Sequence, residues 1–233
     1  MNKYKFYECN VHSYPDGTSS VSEITDFAKH LGYSGIVITT HSNNKRADID
    51  MDYEEDELNI YRGIEIVTDS PSKLHGLVGK YRNKVDIISV HGGSEKINRA
   101  AVENPNIDYL AHPITPRDSG LNHVLAKAAS TNNVAIDFNL DLITKGRGGK
   151  RVHSLLHFKN NLNLARKFNV PLILTSNSFS IYDMRAPLEM IALAKLFGMT
   201  RDEAMDALSN TPLRMLEKNN KSSFIFEGVE IIN

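Results

Sequence analysis

The sequence has no tryptophan and one cysteine, Cys9, in 233 residues. A single thiol can form neither an internal disulfide nor a cysteine-based zinc site. No stretch approaches the roughly eighteen uninterrupted apolar residues of a membrane-crossing helix. The opening residues, Met1-Asn2-Lys3-Tyr4-Lys5-Phe6, lack the apolar run and small-residue cleavage site of a secretory signal, which predicts a cytoplasmic location and no membrane partner. No Gly/Ser-rich linker or composition break divides the chain, so residues 1–233 are predicted to form one domain. Acidic residues are missing from one long span. Between Leu142 and Tyr182, 41 residues contain no Asp or Glu, while Lys145, Arg147, Lys150, Arg151, Lys159, Arg166 and Lys167 are all basic.

What is present is ordinary in amount and unusual in placement. The chain is 41% apolar and 24% charged, a globular composition that excludes wholesale disorder. Its net charge of −1 alone argues against a polyanion binder. However, residues 48–57 hold seven acids in ten positions, and setting them aside leaves 27 basic against 21 acidic residues. Charge segregated in this way creates a local positive field that attracts a polyanion.

Short β-type runs alternate with helical patterns along the whole chain. Strands are predicted at 4–9, 35–40, 64–67, 85–90, 108–111, 134–138 and 171–175. Between and after them lie helices at 21–31, 71–81, 94–103, 121–131, 151–168 and 187–197, with two more towards the C-terminus. Ser20 supplies an N-cap for the first helix and Gly32 its C-cap, Asp118 or Ser119 opens the fourth, and Thr200 with Glu203 makes a capping box. Seven strands with helical crossovers and no reversal imply parallel pairing. An open doubly wound sheet is one solution. A TIM-like (β/α) barrel fits better, because polar residues recur just past the strands.

Those recurring residues define a candidate site. His12, His41, His91 and His112 follow the first, second, fourth and fifth predicted strands, and Glu65 lies in the third. In such a barrel all five converge on the C-terminal mouth, where imidazole and carboxylate donors suit zinc, manganese or iron.

The same residues carry a family resemblance. Asn10-Val11-His12, Pro15-Asp16-Gly17, Ile38-Thr39-Thr40-His41, Gly63-Ile64-Glu65, Ser89-Val90-His91 and Ala111-His112-Pro113 resemble the motifs of the polymerase-and-histidinol-phosphatase (PHP) metallohydrolases. That resemblance implies a distorted barrel binding up to three metal ions for phosphoester hydrolysis. His12, Glu65, His91 and His112 would be ligands, with His41 in the same cluster. The departures matter equally. Asn10 stands where the family begins with His-x-His, and Ser176-Asn177-Ser178-Phe179 replaces its Ser-Asp-Ala-His. Three expected ligands are therefore absent, which predicts a remnant polar network or a single residual divalent metal.

A second resemblance spans nearly the whole chain. His30-Leu31-Gly32-Tyr33-Ser34-Gly35, Leu121-Asn122-His123-Val124-Leu125-Ala126-Lys127 and Asn133-Val134-Ala135-Ile136-Asp137-Phe138 are similar to the ribonuclease P protein component 3 family. So are Leu174-Thr175-Ser176-Asn177-Ser178, Asp183-Met184-Arg185-Ala186-Pro187-Leu188 and the closing Leu196-Phe197-Gly198-Met199 and Glu203-Ala204. This resemblance implies a non-catalytic barrel, related to the PHP enzymes, in an archaeal ribonucleoprotein. There a magnesium-dependent RNA removes the 5′ leader of precursor tRNA. The protein partners that RNA and a small RRM-like subunit.

On that reading Lys145-Gly146-Arg147-Gly148-Gly149-Lys150-Arg151 is a flexible basic loop following RNA phosphates, with Arg providing a planar two-pronged grip. Lys159, with His153 and His157, would extend the surface along the next helix. Arg185 would reach RNA or pair with Asp183. No aromatic-rich RNP motif is present, so recognition by shape and phosphate is expected. Two other classes stay open: an independent PHP-type phosphoesterase, and a pure protein scaffold.

Overall fold

The structure, a computed structural model, describes residues 4–44 and 57–219 and the backbone of 224–226 and 229–230. The acidic segment lies outside these except for Glu57, which is exposed.

Seven parallel strands form one sheet in chain order: β1 (Tyr7–Val11), β2 (Gly35–His41), β3 (Asn59–Ile66), β4 (Ile87–His91), β5 (Tyr109–Ala111), β6 (Ala135–Asn139) and β7 (Leu172–Thr175). A parallel bridge between Val11 and Ser178 brings the last strand back to the first and nearly closes the ring. The expected barrel is therefore observed. The helices are α1 (Val21–Leu31), α2 (Pro71–Tyr81), α3 (Glu95–Val102), α4 (His123–Asn132), α5 (Asp141–Thr144), α6 (Gly148–Phe168), α7 (Pro187–Ala194), α8 (Arg201–Leu208) and α9 (Asn210–Asn219).

Local chemistry explains the clearest boundaries. Ser20 and Glu23 form a reciprocal capping box on α1, and Gly32 ends that helix in the left-handed conformation at φ +86°. Other boundaries moved. β1 begins at Tyr7 rather than Tyr4, because its pairing with β2 starts where Tyr7 meets Gly35. β3 extends back to Asn59 because it pairs with the full length of β2. Asn122 caps α4 in place of Asp118 or Ser119, accepting from the Val124 and Leu125 amides. Asp118 instead accepts from the Gly120 amide in the preceding turn.

Two apolar layers hold the barrel. Outside, helices pack on the strands, with Phe138, Phe158 and Phe197 forming a ring triad at centroid distances of 5.0–5.4 Å. Inside, Tyr7, Val37, Ile87, Tyr109 and Ile173 pack together, and Met215 and Leu216 of α9 join them. The interior grows polar toward the strands' C-terminal ends, through buried Thr39, Ser89, Asp137 and Thr175.

The β1–β7 seam is closed sparingly. A register irregularity lies between Glu8 and Val11. The His12 amide donates to Ser178 O (2.8 Å) and the Ser178 amide to Asn10 O (3.2 Å). Below them the buried Glu8 carboxyl accepts from the Ser176 amide at 3.0 Å, taking the place of a ladder bond. Burial pushes its pKa up from 4.5 to about 7.

Candidate functional site

Five strand ends place His12, His41, Glu65, His91 and His112 at one mouth of the barrel. Their ligand atoms form two sets that share Glu65: His12–His41–Glu65 and Glu65–His91–His112. Glu65 is fully buried, with one oxygen 2.5 Å from His91 Nδ1 and 3.7 Å from His112 Nε2. Burial alone would raise its pKa, but the His91 hydrogen bond and the neighbouring imidazoles hold it at about 2. Glu65 in turn raises the pKa of His91. Burial lowers His12, and holds His112 at about 4 despite Glu65. Near neutral pH the cluster therefore contains a carboxylate and neutral His12 and His112 rings, the protonation states that metal ligation requires.

Supporting contacts fix these rings. His12 Nδ1 faces Thr39 O at 2.9 Å and its Nε2 faces Asn177 Oδ1 at 3.2 Å. The Asn139 amide lies 3.0 Å from His112 Nδ1. Asp16 accepts from the His41 amide at 2.8 Å and lies 3.3 Å from the His41 ring. His112 and Asn177 both have φ of +47°, an unfavourable conformation for residues with a side chain. Asn139 was not singled out from sequence, although it obeys the same rule of a polar residue at a strand's end.

The motif departures have physical consequences. Phe179 stacks on His12 at 4.3 Å, in a ladder of rings that continues to His41. Lys145 Nζ lies 5.8 Å from the Phe179 ring centroid. A fixed ammonium and a hydrophobic ring therefore border the His12–His41 side. Asn10 contributes only an amide, whose oxygen is buried without a partner. These residues do not fit a three-ion cluster. The Glu65–His91–His112 set fits one ion, because two imidazoles and a carboxylate satisfy a borderline divalent cation.

The basic residues are less uniform than the sequence suggests. The expected flexible loop is largely helical: Lys145 ends α5, Arg147 is the N-cap of α6, and Lys150 and Arg151 lie in its first turn. Gly148, at φ +52°, makes the sharp turn between the two helices. Lys145 pairs with Asp183 at 3.1 Å, so of the two roles open to Arg185 the pair with Asp183 is taken by another residue. Half-buried Arg185 donates to the carbonyls of Tyr182 and Met184 instead. Arg151 donates to Gly146 O, while Arg147, Lys150 and Lys159 are exposed.

The acid-free span also divides in space. α6 has 21 residues, about 30 Å of helix, which separates Arg147–Arg151 from Arg166 and Lys167. Arg166 makes a two-pronged contact with Glu203 there. Only the first group lies at the mouth.

The family described as RNase P subunit p30 matches residues 5–223. The chain belongs to this family of ribonuclease P protein subunits. It is 54% identical to ribonuclease P protein component 3 of Methanococcoides burtonii over 99% of this chain and 95% of that protein. With the protein of the same name from Methanothermobacter thermautotrophicus it shares 38% identity over 98% of this chain and 96% of that one. Among solved structures, it resembles a chain of the cryo-EM structure of archaeal ribonuclease P with mature tRNA: TM-score 0.79, 29% identity, 97% of this chain and 98% of that one. Histidinol phosphate phosphatase from Lactococcus lactis, solved with zinc, L-histidinol and phosphate, aligns at TM-score 0.55 and 12% identity, over 94% of this chain and 95% of that one. That likeness is one of fold. Both sequence resemblances thus describe the same barrel. Among the described residues no helix is long and apolar enough to cross a membrane.

Proposed function

We propose that this p30-family chain serves a cytoplasmic archaeal ribonuclease P as its non-catalytic barrel subunit. It binds the ribonuclease P RNA chiefly through phosphates at the α5–α6 corner, using Arg147, Lys150 and Arg151, with Lys159 along the helix. Lys145 and Arg185 contribute mainly by fixing the loop after β7 beside that corner. With a small RRM-like partner it organises an RNA whose own magnesium-dependent chemistry removes the 5′ leader from precursor tRNA. The observation that carries this reading is the full-length match to a chain of an archaeal ribonuclease P, in a barrel where Asn10, Asn177 and Phe179 occupy hydrolase ligand positions.

The test is precursor-tRNA cleavage by the cognate RNA and its other protein subunits, with and without this chain, at limiting magnesium. Cleavage is expected to fall on omission, with no phosphatase turnover by the chain alone. Unchanged cleavage would overturn the reading. Metal-dependent turnover by the isolated barrel would establish the independent phosphoesterase.

The histidine cluster takes a supporting role, holding one divalent ion between Glu65, His91 and His112. When bound, that ion would tie β3, β4 and β5 together at the mouth. His91→Ala, which removes one of that ion's three donors, should weaken zinc binding about tenfold or more in a calorimetric titration. Equal, negligible heats from both proteins would leave the cluster a hydrogen-bonded network.

A further inference from the structure

A cleft of about 270 Å³ opens beside the basic corner. Its walls are Ile114, Pro116 and Leu142, and α6 lines it with Lys150, His153 and His157. The positions 150, 153 and 157 fall on one helix face, so the first three turns of α6 present a cation and two imidazoles to one apolar trough. Among the described residues no acidic side chain lines it. His157 lines the cleft, and its Nε2 is buried without a hydrogen-bond partner. A buried ring nitrogen with neither partner nor solvent is the feature a ligand's polar edge would satisfy.

We propose that this cleft receives one unpaired nucleotide of the RNA. The inference rests on the RNA-binding reading above and goes beyond it, because phosphate contacts alone need no pocket. Apolar walls with a few convergent polar groups suit a planar base. With its ring turned into the cleft, His157 meets the base edge through Nε2, while Lys150 at the rim neutralises the adjoining phosphate. The cleft has room for a base. A base lodged between these walls cannot keep its pairing partner, so the nucleotide is unpaired and turned out of its helix. The chain thus adds local recognition of an exposed base to its electrostatic grip.

The test uses the full chain and a transcript of the cognate ribonuclease P RNA. Ser154 lies on the cleft wall and is partly exposed, so Ser154→Trp fills the cleft while leaving every cation in place. His157→Phe removes the ring nitrogen at similar size. Loss of one base contact should weaken binding about tenfold. The salt dependence should stay unchanged, because no phosphate contact is removed. In the wild-type complex, short-wavelength ultraviolet irradiation should cross-link a nucleotide to peptides spanning 112–117 or 150–157, and Ser154→Trp should abolish that adduct. Wild-type affinity in both variants, with no adduct on those peptides, overturns the cleft and leaves the phosphate reading intact. A wild-type chain that does not bind the transcript overturns both. Thermal unfolding of each variant verifies that the barrel is folded.

Discussion

Replacing Lys145, Arg147, Lys150 and Arg151 together by alanine is expected to weaken binding to the cognate ribonuclease P RNA on the order of a hundredfold near physiological salt. The plot of log affinity against log salt should become shallower by about two to three, because each lost phosphate contact releases fewer counterions. The effect should not divide equally. Lys145 is already engaged with Asp183 at 3.1 Å and stands over the Phe179 ring. Lys145→Ala alone should therefore disturb the loop after β7 more than it reduces the salt slope. Arg147 and Lys150 are exposed at the start of α6, where unsatisfied amides also favour an anion. They should account for most of the slope. Filter binding across a salt series would check this, and an unaltered slope in the quadruple variant would remove the corner from the interface.

The second large effect is on stability and reads on Glu8. Its carboxyl titrates at about 7 in the folded barrel, against an ordinary value of 4.5, because it is fully buried at the seam. Between those two values the folded state retains a proton that the unfolded state has released. The Glu8 contribution to stability is therefore greatest below about pH 4.5, falls as pH rises and levels off above about pH 7, a loss of roughly 3 kcal/mol. His112, held at about 4, contributes in the opposite direction over part of the same interval. Asp137, also buried and shifted upward by desolvation, contributes in the same direction as Glu8. Glu8→Gln should remove the Glu8 contribution, so that the variant gains on the wild type as pH rises from 4.5 to 7, since a neutral amide can still accept from the Ser176 amide. Urea midpoints across that pH range would measure it. A Glu8→Gln barrel whose midpoints keep a constant offset from the wild type across that range would contradict the assignment.

Much of the architecture was legible because its causes are local. The capping box of α1 and the Ser70 cap and Pro71 that open α2 are written within a few residues of each boundary. Both helices occupy the spans their patterns predict. The histidines were legible through repetition, one polar residue at the end of successive strands. What escaped depends on distant partners. Nothing near Lys145 in sequence announces Asp183, and the polar-glycine run at 145–149 reads as a loop until α6 is seen packed on its neighbours. Glu8 reads as an ordinary strand carboxylate, because the Ser176 amide that it meets is 168 residues away. Asn139 and Asp16 were visible as residues but not as supports, since that role depends on which imidazole each one meets.

The seam also sets an order of assembly. His12 belongs to the strand that leaves the ribosome first, whereas the Asn177 and Phe179 that contact it come from beyond β7. Until residue 178 is available, the outer edge of β1 has no partner and the histidine cluster lacks one wall. Asp183, the partner that holds Lys145, arrives later still. Ring closure, completion of the cluster and anchoring of the basic corner are therefore one late event. A chain interrupted before β7 would display cations to RNA without the barrel that positions them.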